Sequence, residues 1–279
     1  MPFDVSYDCD TEFVRLLSRD ARIDLPRACL ELARDASPAL DFRQTTDWIA
    51  ARGEELAAKV ARAWPEQDAL RSLAFSLGTD HGLGGNERCR DRADLSYLNR
   101  VIETGMGTPV SLSVLYMAVA ERVGLELTGV AAPTRFLTRF ETTDGPLFLD
   151  AYDGGTIHTW QDCVARISAE SDLSPEQIAL SLSPAEPRSI VVRMLNDLKQ
   201  VHTRMRNWDQ SWLVQYRLAA LMPSSYRERR DLALVALKAN KPGEAVELLG
   251  FCLKTCPSNE QAYLTEQYDN ACGALAKCN

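Results

Sequence analysis

The chain has 279 residues, 46% hydrophobic and 25% charged, a composition that suits one large globular domain or two modest ones with a sizeable core. Its 31 basic against 39 acidic residues give a net charge of −8, and no long Lys/Arg block concentrates positive potential, which argues against nucleic acid as a partner. The first residues, "MPFDVSYDCDTEFVRLL", lack the basic start and apolar core of an export signal. No apolar run reaches about 18 residues, so the expectation is a cytoplasmic protein with no membrane partner and eight reduced cysteines.

Residues 11–77 carry helical punctuation. Asp24 is placed to cap a helix whose second position is Pro26, and Trp48, Ile49, Leu56, Val60 and Trp64 recur near one helical face, so an all-helical lobe is expected. Residues 78–95, "GTDHGLGGNERCRDRADL", read as a long structured loop holding His81, Gly85, Asn86 and Cys89. "GLGGN" lacks the Lys-Ser/Thr ending of a phosphate loop and does not follow a strand. "SYLNRVIETG", with Tyr97, resumes helical spacing.

The next segment, "GMGTPVSLSVLYMAVAERVGL", predicts a helix with Thr108 as its cap, Pro109 at its first position and Gly124 as its left-handed stop. Leu112, Leu115, Tyr116, Val119 and Val123 make one face, but Val114, Met117, Ala118 and Ala120 make the others apolar, so the helix is expected to be central and buried. Beyond it "LELTGVAA", "RFLTRFE" and "LFLDAY" are short and rich in β-formers, with a hairpin turn at "TTDGP". Helices followed by antiparallel strands predict an α+β fold. Residues 154–188 are mixed, with a helix start at "DLSPEQ" and a proline-bounded linker.

From Ser189 onward helices return with an internal period. Pro223 and Pro257 are 34 positions apart, as are Ser211 and Ala245, a spacing that matches tetratricopeptide repeats. Ala245, Leu249, Cys252 and Pro257 fit that pattern, whereas Ser211 and Gln215 depart from it. Trp208, Trp212 and Tyr216, at helical spacing, read as a seam between repeat helices. Two domains are therefore expected, 1–188 and 189–279.

The pattern Gly107 through Leu112 and Leu115 to Gly124-Leu125 resembles the core helix of the transglutaminase-like, papain-related superfamily. With "APTRFLTRF", "FLDAYDGG", "QDC" and "RMLNDLKQVHTRMRNWDQS" in order, the chain resembles more narrowly the SirB-one group, in which a transglutaminase-like domain precedes tetratricopeptide-like repeats. The superfamily's chemistry needs a cysteine at a helix N-terminus, a histidine that deprotonates it and a carboxylate that orients the histidine. Laid on this chain, those positions fall on Pro109, Arg135 and Asp150. Proline has no nucleophilic group, and arginine stays protonated and cannot act as a base.

The resemblance therefore implies a domain without triad catalysis, acting through a protein or peptide partner. The binding residues expected in its cleft are Thr108, Pro109, Arg135, Asp150, Asn86 and Tyr97, with no cofactor and no metal. Arg135 and Asp150, at facing ends of adjacent strands, are expected to form a charge-assisted pair. The alternative is a hydrolase or amide transferase with a relocated nucleophile, Cys89 or Cys163 with His81 or His158. Ser111 and Ser113 are expected to be capping or helix-surface serines, His158 a loop residue, and Cys252, Cys256, Cys272 and Cys278 free thiols because only one pair has zinc-like spacing.

Overall fold

The computed structural model describes residues 7, 9–87, 91–133 and 135–278. In chain order its helices are α1 (Thr11–Leu17), α2 (Leu25–Arg34), α3 (Phe42–Val60), α4 (Glu66–Ala74), α5 (Leu98–Thr104) and α6 (Pro109–Arg122), then the strands β1 (Leu127–Ala131), β2 (Phe136–Phe140), β3 (Leu147–Asp150) and β4 (Thr156–Thr159). They are followed by α7 (Trp160–Glu170), α8 (Pro175–Ser181), α9 (Pro187–Arg204), α10 (Trp208–Leu221), α11 (Tyr226–Lys238), α12 (Pro242–Leu253) and α13 (Ser258–Cys278). The chain divides into two compact units, Ala21–Met194 and a second in which the segment ending at Asp20 joins Leu195–Asn279. The sequence reading divides the chain between 188 and 189, whereas the units part between 194 and 195.

In the unit Ala21–Met194 the expected signals act as local chemistry requires. Asp24 accepts from the Arg27 N–H at the start of α2, and Asp41 accepts from the Arg43 N–H at the start of α3, each satisfying an amide that has no partner within its helix. Helix α6 lies at the centre, in contact with α2, α3, α5, β1 and β2, and is buried on nearly every side. Its approach to α3 is close. A Cβ added to Gly53 would sit 2.5 Å from the Arg122 Cβ, so only glycine admits that crossing.

The strands form an antiparallel sheet in the order β1-β2-β3-β4, with Thr138 opposite Leu149 and Phe148 opposite His158. Alternation sends Val130, Leu137 and Phe148 into a core with Cys163 and Ile167 of α7 and Ile178 of α8, and turns the intervening residues to the α6 side. This is the α+β arrangement expected from the sequence.

Strand β4 differs from expectation. "TIHT" has one large apolar residue in four and no pattern of its own, so it reads as loop. Its pairing with β3 makes it a strand, and His158 stands in the sheet and not in a loop.

In the second unit α10 to α13 each pack on the next. Trp208 opens α10 and Pro242 opens α12, a spacing of 34, and the seam is filled by Trp212, Tyr216, Ala233, Ala236, Ala245 and Leu249. Gln215, which departs from the repeat pattern, is fully buried and donates to the backbone oxygen and carboxylate of Glu228 at 2.9 and 2.8 Å. Helix α1 is tied to α10 by Arg217, whose Nη2 donates to the Asp10 Oδ2 at 2.6 Å and whose guanidinium lies over the Phe13 ring at 4.6 Å.

Candidate functional site

The first part of the site is the entry to α6. Gly105 ends α5 in the left-handed region, at φ 72°, and Met106 forms a short parallel bridge with Gly84. Thr108 then caps α6 in a reciprocal capping box. Its Oγ1 accepts from the Ser111 N–H at 3.3 Å, and the Ser111 Oγ accepts from the Thr108 N–H at 3.0 Å. The Ser111 hydroxyl also donates to the Leu95 carbonyl at 2.9 Å. Capping is the expected role for Ser111, but the helix-surface placement does not hold: Ser111 and Ser113 are both fully buried, because α6 has almost no solvent face.

The second part is the pair at the ends of β2 and β3. The Arg135 Nη1 donates to the Asp150 Oδ2 at 3.0 Å, as the sequence predicts. The Asp150 side chain is 2% exposed, and its other oxygen accepts from the Tyr152 and Asp153 amides at 3.1 and 3.2 Å. Arg135 keeps 37% of its side chain in solvent. A buried, fully hydrogen-bonded carboxylate thus grips one edge of a guanidinium whose remaining surface is half open.

Between these parts runs the loop 82–87, fastened by Tyr152. The Tyr152 carbonyl accepts from the Gly85 N–H at 2.8 Å, and its hydroxyl donates to the Asn86 carbonyl at 2.5 Å. Its ring lies flat against Gly85, where an added Cβ would come within 1.9 Å of ring carbons, so the contact requires glycine. Asn86 in turn donates to the Met106 sulfur at 3.2 Å. Asn86 therefore stands near the α6 entry, while Tyr97 caps α5 and is only 6% exposed, leaving little of it for a ligand. The sequence reading does not single out Tyr152. Its signal is a bulky aromatic directly before "DGG", where small residues must receive it.

Beneath the pair, Tyr116 of α6 is fully buried with no hydrogen-bond partner for its hydroxyl among the described residues. Burial, reinforced by the Asp150 carboxylate, holds that phenol well above its usual range. Beside Arg135, between the sheet and α7, lies a cavity of about 10 Å³ lined by Arg135, Leu137, His158, Asp162, Cys163 and Arg166 among others. Thr108 and Pro109 do not line it.

The alternative nucleophiles stand as follows. Cys163 shares the cavity wall with His158, but desolvation, helped by Asp162, pushes its thiol up to about 11, the reverse of an activated cysteine. The His81 Nε2 is 3.0 Å from the Glu55 Oε2, with the ring edge-on to Trp48. Cys89 lies outside the described residues. Among those described, no group of three or more His, Cys, Asp or Glu is placed to hold a metal ion. Nor is any helix long and apolar enough to cross a membrane.

The fold is a buried, capped helix packed on a small antiparallel sheet whose third strand ends in Asp150, and the transglutaminase-like superfamily model matches residues 44–196. The chain belongs to that superfamily. Its relatives are of the SirB type. A UPF0162 protein of Xylella fastidiosa (strain Temecula1) is 31% identical over 246 residues, 86% of each chain. Protein SirB1 of Salmonella typhimurium is 24% identical over 72% of this chain and 75% of its own, and the UPF0162 protein YchA of Escherichia coli K12 is 22% identical over 83% and 85%. Menin, whose crystal structure reveals the binding site for the Mixed Lineage Leukemia protein, aligns over 92% of this chain and 72% of its own at 12% identity, with a TM-score of 0.40.

Proposed function

We propose that this chain is a transglutaminase-like protein without triad catalysis that works by binding a protein or peptide partner in the cytoplasm. The observation that carries this reading is the clasp on Arg135. A proton-accepting histidine in that seat would serve chemistry, whereas an arginine held on one edge by a buried Asp150 and open on the other is an oriented donor for an incoming acceptor. Thr108 and Pro109 at the α6 entry, and Asn86 on the loop, would supply the rim around it, with Tyr97 and Asp150 supporting from below. Six described cysteines are free thiols, which suits a reducing compartment, and the net charge of −8 disfavours nucleic acid.

The helices of the second unit would add another surface. The 34-residue spacing of helix starts, with alanines at the close approaches, supports a tetratricopeptide-like reading. The rival reading, a hydrolase using Cys163 with His158, is weakened by the high thiol pKa.

The test is a random peptide library screened against the purified full chain, the Arg135→Gln variant and the Thr108→Ala/Pro109→Ala/Arg135→Gln/Asp150→Asn variant. A set of peptides bound by the native chain and lost in both variants is expected. Binding that survives all four substitutions would remove the cleft from the proposal. Turnover of a bound peptide, abolished by Cys163→Ala, would replace the binding reading with the enzyme one.

A further inference from the structure

The cavity beside Arg135 is lined mainly by apolar surface, with Leu137 and Ile167 as its floor, and few polar groups border it. Arg135 lines it from just before β2, His158 from β4 and Arg166 from α7, so three N–H-bearing side chains from three elements border it. The His158 Nε2 is buried and has no hydrogen-bond partner, and Arg166 forms no ion pair among the described residues. A buried ring nitrogen without a partner is uncommon in a folded protein and calls for an occupant.

The neighbouring carboxylates are already turned elsewhere. Asp150 is spent on Arg135 and on the Tyr152 and Asp153 amides. Asp162 closes the start of α7, its Oδ2 accepting from the Thr159 N–H at 2.8 Å and hydroxyl at 2.7 Å. The local charges nearly cancel, since Asp162 lines the cavity beside the two arginines. The His158 Nε2 is the polar atom there left without an acceptor among the described residues. The cavity volume, about 10 Å³, is that of a single oxygen-sized atom.

We infer that the cavity seats one oxygen of a ligand carboxylate, between Arg135, Arg166 and the Nε2–H form of His158, with the second oxygen at the exposed edge of Arg135. This rests on the binding reading above and deepens it by naming the recognised group. The floor of Leu137 and Ile167 excludes competing water around the seated oxygen, which strengthens each charge-assisted hydrogen bond. The carboxylate can come from a chain terminus or from a Glu or Asp side chain.

The experiment follows the histidine ring signals by proton–carbon NMR in the full chain, which has only three histidines, with His158→Gln assigning the one of interest. Four probes are titrated: acetate, a peptide with a free C-terminal acid and no acidic side chains, the same peptide amidated, and the amidated peptide carrying one Glu. The carboxylate probes are expected to shift the His158 signal and leave those of His81 and His202 in place. The amidated peptide should bind at least tenfold more weakly than its free acid, or than the Glu peptide, and whichever wins names the source. Arg166→Gln should weaken the carboxylate probes at least tenfold, with Arg166→Lys recovering part of the loss and showing that the fold is intact.

Peptides lost on Arg135→Gln but indifferent to the carboxylate and to Arg166 would overturn this inference while leaving the binding function standing. If no peptide binds, acetate decides alone: a His158 shift reversed by Arg166→Gln supports the seat. No shift means that the cavity holds water only, and the inference fails.

Discussion

By the sequence resemblance, the start of α6 and the residue before β2 answer to two seats of one superfamily chemistry, and they are occupied by Pro109 and Arg135. Their surroundings handle this differently. At the first, Pro109 needs no partner: its missing N–H would be unsatisfied there anyway, its fixed φ suits a helical first turn, and Thr108 and Ser111 cap one another beside it. At the second, Arg135 brings a permanent charge, and a buried Asp150 with two backbone amides is organised around it. The first seat is finished as structure. The second still presents hydrogen-bonding capacity outward, which is why the proposed recognition centres on Arg135, with the helix terminus only at its rim.

From that contrast, Asp150→Ala is expected to be the costliest single change at either seat. It removes the acceptor for Arg135 and for two amides at once, and a loss of about 2–3 kcal/mol is expected, at the low end for a broken pair because Arg135 is partly solvated. Urea unfolding measures it, and a change under about 0.5 kcal/mol, the size of an ordinary surface substitution, would erase the distinction between the seats.

Next is the thiol beside the second seat. With Cys163 pushed up from 9.0 to about 11, its thiolate fraction at pH 7 falls about 100-fold below that of an unperturbed thiol. Labelling by a thiol reagent should be correspondingly slower than in a urea-denatured control and should rise only as the pH approaches 11. Fast labelling at neutral pH would hand the second seat back to catalysis.

At the first seat, Thr108→Ala should cost about 1 kcal/mol, the worth of an N-cap, and should leave peptide binding within a few-fold of native if the α6 entry is chiefly structural. A large loss of binding with an intact melting curve would move the recognition surface toward α6. The smallest effect has the opposite sign. Tyr116→Phe removes a buried hydroxyl without a partner among the described residues and should leave stability unchanged or raise it by about 0.5–1 kcal/mol. A clear destabilisation would mean that the phenol is hydrogen-bonded in solution.

Much of this was legible in the sequence because the relevant signals are local. The cap, the proline and the stop of α6 are read from neighbouring residues, and the Arg135–Asp150 pair from two strands joined by a recognisable turn. What stayed hidden depends on contacts made at a distance. "TIHT" is a strand only because β3 lies beside it. Ser111 and Ser113 are buried because elements far along the chain cover α6 on all sides. Likewise Arg166 comes to Arg135 only through the packing of α7 on the sheet, which no spacing announces. Tyr152 is not legible in the sequence because the hydrogen bonds that fasten it are made partly by backbone, which has no sequence signature.

Tyr152 also sets how the site could be tuned. Its amide restrains the carboxylate that grips Arg135, its carbonyl holds Gly85 and its hydroxyl holds Asn86, so a single residue mechanically couples the loop 82–87 to the guanidinium. A lengthened or shortened loop would pull on that tyrosine and re-aim Arg135 with both charged residues untouched. On the proposed binding function, ligand preference would therefore drift through the loop while the strands that carry the charges stay fixed.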